Sequence, residues 1–131
     1  MEAPKMQYID AKYDLLINGE WVPAEGGETF ETFNPANGEK LAACANASPA
    51  DIDRAVAAAR AAFPAWAAKS PQERAALLLK VAALIDENAA RLAMVETLDN
   101  GKPIRETTLV DVPLSSDHFR YFAGCLRAEE G

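Results

Sequence analysis

The side chains that could do chemistry in this 131-residue sequence are few and far apart. The single histidine, His118, stands between Asp117 and Phe119, and an acid–base pair with Asp117 is the chemistry it would suggest. Successive residues of a helix point about 100° apart, so the two side chains would not face each other, which argues against that role. Cys44 ends an alanine-rich strand and Cys125 sits among helix aromatics. A reactive thiol needs a helix N-terminus or a basic neighbourhood to stabilise its thiolate, and neither cysteine has one, so both read as structural. Their spacing gives no CxxC and no nearby histidine cluster, which fits reduced thiols better than a disulfide or a zinc site. No G-x-G-x-x-G, P-loop or GxSxG string is present. The most suggestive polar string is Asp99-Asn100-Gly101-Lys102-Pro103. It admits two readings: a helix end capped by Gly in a left-handed conformation, or a turn whose Asp99 carboxylate serves as an oxygen ligand for a hard cation.

The elements that must position these residues fall in two stretches. Leu15-Leu16-Ile17 and Glu20-Trp21-Val22 flank Asn18-Gly19, the favoured pair for a two-residue hairpin turn. A second extended pair runs from Thr29 to Phe33 and from Lys40 to Ala45 across the turn 34–38. From Ser48 the apolar period changes to that of a helix. Ser48 is an N-cap, Pro49 suits the first helical position, and Ile52, Val56, Ala59, Phe63 and Trp66 form one stripe. Pro64 is expected to tighten or end that helix. Ser70-Pro71-Gln72-Glu73 is a capping box opening a second helix, with a stripe through Leu77, Leu78, Val81, Leu84 and Ile85. Asn88 is expected to cap a third, short helix that Gly101 and Pro103 close. A longer helical segment follows, expected to be interrupted or kinked near Pro113 and restarted by Ser115 or Ser116. Trp21 and Trp66 read as core anchors. Residues 1–12 have no clear period and read as a flexible N-terminal arm.

Composition narrows the partners. The formal net charge of -7 and the scattered basic residues argue against nucleic acid, which is held by clustered Lys and Arg. No apolar run approaches the roughly 20 residues that cross a bilayer, and no signal peptide is visible, so a cytoplasmic protein without a membrane partner is expected.

Taken in order, these strings resemble the N-terminal segment of the NAD(P)-dependent aldehyde dehydrogenase superfamily. The carriers are Leu15 to Trp21, Phe33-Asn34-Pro35-Ala36-Asn37-Gly38-Glu39, Ala55 to Phe63 leading to Trp66, Arg74 to Ile85, Glu96 to Pro103, and Asp117 to Gly124. The similarity is greatest to bacterial acetaldehyde and chloroacetaldehyde dehydrogenases. The resemblance implies an α/β parent fold with a Rossmann-like cofactor domain. This chain would be a mostly helical N-terminal portion with two short β-hairpins, residues 13–131 forming an incomplete part of that cofactor-binding domain. The parent would oxidise an aldehyde to a carboxylic acid with NAD or NADP, through a cysteine nucleophile and a glutamate base downstream of Gly131. Catalytic and cofactor-binding residues are therefore expected to be absent here, with NAD or NADP not binding this chain and the chain alone inactive. The resemblance also implies a structural monovalent cation, K+ or Na+, held by backbone carbonyls of Thr32 and Phe33 and the carboxylate of Asp99.

Two accounts of so short a chain follow. One is an engineered, proteolytic or naturally truncated piece of a homo-oligomeric dehydrogenase, suggested by a stop at Gly131 just after a helix with aromatics on more than one side. The other is a short binding or assembly module derived from this fold, which docks on a full-length dehydrogenase or self-associates.

Overall fold

A computed structural model describes residues 8–128, which fall into two compact units that divide between Ala68 and Lys69. In the first unit, strands β2 (Leu15–Ile17) and β3 (Glu20–Val22) make the expected hairpin, pairing Leu15 with Val22 and Ile17 with Glu20. Its turn residues Asn18 and Gly19 both take positive φ, 53° and 82°, the twist a two-residue hairpin demands. Strands β4 (Thr29–Phe33) and β5 (Lys40–Ala45) form the second antiparallel pair. A short strand β1 (Lys12–Tyr13) adds to the other side of β5, parallel to it, giving the order β1-β5-β4. The proposed N-terminal arm thus ends in a sheet at Lys12, while its first seven residues lie outside the described ones.

Helix α1 (Pro49–Ala67) starts where the sequence places it. Ser48 accepts from the Asp51 N–H and Asp51 accepts from the Ser48 N–H, a reciprocal cap. The face that α1 turns to the first hairpin is Ala55, Ala58, Ala59 and Ala62, which line a groove with Leu16 to Gly19. The stripe of larger residues, Ile52, Val56, Phe63 and Trp66, faces outward instead. Alanine lets the helix approach the strands, and the bulky stripe is left for another surface. Trp21 is 67% exposed and Trp66 41%, so neither indole anchors a core here. Pro64 does not end α1; the helix continues to Ala67, and the Ala68 N–H closes it on the Pro64 carbonyl at 3.0 Å. A missing N–H near a helix end costs little, because few turns remain to be disrupted.

The second unit packs α2 (Pro71–Glu87) against a last helix, α5 (Val112–Ala128), with α3 (Ala89–Asn100) and a single turn, α4 (Ile104–Glu106), between them in sequence. The buried positions are mostly small: Ala75 and Ala82 of α2, Ala93 of α3, Ser116 and Ala123 of α5, with Val112 at the start of α5 the larger one. Of the stripe expected to face inward on α2, Leu77, Val81 and Leu84 are exposed while Leu78 and Ile85 are half-buried. Asn88 precedes α3 but does not cap it with its side chain, which donates to the Leu84 carbonyl at 2.8 Å. The irregularity expected near Pro113 takes the form of a wide π turn, Thr107–Asp111, ending two residues before it, and the helix continues. A proline ring crowds the carbonyl four residues earlier, and an extra residue in the turn relieves that clash without stopping the helix. Ser115 and Ser116 start nothing; their hydroxyls bond back to the carbonyls of Asp111 and Pro113 at 2.8 and 3.1 Å.

Candidate functional site

In the first unit the cation reading rests on Thr32 and Phe33, consecutive in β4. The ladder shifts register between them, Thr32 facing Ala42 and Phe33 facing Lys40. The extra residue of this bulge is Leu41 of β5, while Thr32 and Phe33 both keep a partner. The turn that follows is held from within. Asn34 is buried, its Oδ1 accepts the Ala36 N–H at 2.9 Å, and its carbonyl accepts the Gly38 N–H at 2.8 Å. Asn37 Oδ1 accepts the Glu39 N–H at 3.0 Å. These side-chain bonds replace the strand ladder and fix the path out of β4.

In the second unit Asp99 lies exposed on the last turn of α3. Gly101 follows with φ of 79° and donates to the Thr97 carbonyl at 3.0 Å, a left-handed helix cap. The chain then folds back through Lys102, whose N–H bonds Asn100 Oδ1 at 2.7 Å and whose ammonium pairs with Asp111 of the π turn. The Asp111 carboxylate, by hydrogen bonding to that ammonium, holds the Lys102 pKa above its ordinary value. Thr97 and Thr107 join their hydroxyls at 2.9 Å behind the turn, and Thr107 is fully buried. Asp99 itself is left at the rim of a groove of about 420 Å³, with Leu92, Val95, Glu96 and Val112 among its walls. The turn is capped by Gly101 and Asn100 side chain rather than by the Asp99 carboxylate, which leaves that carboxylate available.

The remaining sequence candidates are not brought together. His118 and Asp117 are both exposed on α5. Cys44 is half-buried in β5 and Cys125 exposed on α5, both as free thiols. Among the described residues no three His, Cys, Asp or Glu side chains cluster as a metal site of that kind. No described helix is long and apolar enough to cross a membrane. A dinucleotide would need a phosphate cradle, and the turn from β5 into α1 is the place to seek one. It contains no glycine, the Ser48 hydroxyl takes the Asp51 N–H, and the Asp51 carboxylate adds negative charge where the phosphate would sit.

The sequence did not reveal the Lys102–Asp111 pair, the Thr97–Thr107 pair or the reach of Asp51 to the N–H of Glu25 at 3.0 Å. Each joins residues at separations that no helix or strand period marks.

Comparison with known proteins adds an independent line. The family model described as "Aldehyde dehydrogenase family" matches residues 21–131. The chain is 49% identical over 120 residues to acetaldehyde dehydrogenase 2 of Cupriavidus necator, covering 92% of this chain and 24% of that protein. It is 49% identical over 123 residues to aldehyde dehydrogenase B of Escherichia coli, covering 94% of this chain and 24% of that one. Among solved structures, the NAD+ complex of an aldehyde dehydrogenase from Bacillus cereus matches with a TM-score of 0.87 and 43% identity, over 95% of this chain and 26% of that chain. The NAD-dependent aldehyde dehydrogenase of Sinorhizobium meliloti matches with a TM-score of 0.90 and 38% identity, over 99% of this chain and 26% of that one. The chain therefore spans about a quarter of the length of the curated relatives it matches.

Proposed function

The chain belongs to the aldehyde dehydrogenase family, and from that premise we propose that it is the N-terminal framework of an enzyme oxidising an aldehyde to its acid with NAD or NADP. The observation that carries this reading is one of proportion: nearly all of the chain corresponds to only a quarter of each relative. The chemistry of the candidate residues supports it. The two cysteines lack what a nucleophile needs, and the β5-to-α1 turn is unsuited to a pyrophosphate. The rest of the enzyme would supply nucleophile, base and cofactor site. NAD or NADP, when bound there, accepts the hydride; the part of these residues is to hold backbone and helices in place around that centre.

Within this reading the Asp99 carboxylate is a ligand candidate for a monovalent cation in the second unit, and the Thr32 and Phe33 carbonyls are candidates in the first, each unit taken by itself and completed by groups from the rest of the enzyme. The uncommitted carboxylate of Asp99 supports its part of the assignment. The enzyme would be cytoplasmic and homo-oligomeric, consistent with its free thiols and with the large apolar side chains left on the surface.

The test has two arms. The purified 131-residue chain, incubated with acetaldehyde and NAD or NADP, should produce no reduced cofactor; aldehyde-dependent reduction would overturn the assignment. An antibody against the chain should detect a native polypeptide several times its mass. A band at the mass of the chain itself would favour a short docking or self-associating module.

A further inference from the structure

We draw no further inference here: the strongest candidate, the apolar groove between α2 and α5 lined by Leu78, Phe122, Cys125 and Leu126, is an unpartnered helix face, and nothing in the structure shows what covers it.

Discussion

The carboxylate of Asp51 accepts the backbone N–H of Glu25 at 3.0 Å, joining the first turn of α1 to a loop 26 positions earlier in sequence. The same carboxylate takes the Ser48 N–H at 2.8 Å and pairs with Arg54, while only 1% of the residue is exposed. One acidic side chain thus caps a helix and ties that helix to the loop after the first hairpin.

Those hydrogen bonds, led by the one from Ser48 and then that from Glu25, hold the Asp51 pKa well below the ordinary aspartate range. A group whose folded pKa is depressed stabilises the fold above its unfolded value, about 3.9, and that contribution is lost as pH falls further toward the folded value. Urea midpoints should therefore hold near neutral pH and decline below about pH 4. In Asp51→Asn the midpoint should be lower at neutral pH and the acid decline shallower. An unchanged acid slope in that variant would show that other carboxylates carry it.

Gly101 closes α3 with φ of 79°. A Cβ in the left-handed region costs about 1–2 kcal/mol, so Gly101→Ala should lose that much stability. Gly101→Asn should lose less, because asparagine tolerates this conformation. Equal losses for the two in denaturant unfolding would point to crowding at Gly101 rather than to its backbone angle.

The buried Thr107 hydroxyl meets that of Thr97 at 2.9 Å and lies 3.1 Å from the Ile104 carbonyl. Thr107→Val keeps the shape and removes both bonds, at a cost of about 1 kcal/mol. Thr107→Ser, which can keep them, should recover part of the loss. A valine variant as stable as the parent chain would show that the hydroxyl pair contributes nothing net.

Asp99 distinguishes a cation ligand from a simple helix end. In the longer enzyme proposed above, a cation-ligand role predicts that Asp99→Ala weakens K+ binding by at least about tenfold, read as a loss of K+-dependent thermal stabilisation relative to choline. The same fall in melting temperature in both salts would assign Asp99 to the turn alone.

Much of the local structure was legible because it is written in neighbouring residues. Asn18-Gly19 specifies its hairpin turn, Ser48 and Ser70 each bring a cap partner three positions on, and Gly101 terminates α3. Those features depend on backbone angles and hydrogen bonds that span a few residues. The family was also legible, since several such strings stand in a fixed order along the chain.

Which faces are buried was decided by tertiary structure. Helical period alone selects the bulky stripe of α1 as the inward face, yet Ala55 and Ala58 meet the hairpin while Ile52, Phe63 and Trp66 stay exposed. Close approach favours the smaller side chain wherever two backbones must come near, and period does not encode that distance. The Lys102–Asp111 pair and the Asp51–Glu25 bond are of the same kind. Each forms because packing brings together groups whose separation in sequence follows no repeat, so only the folded chain places them.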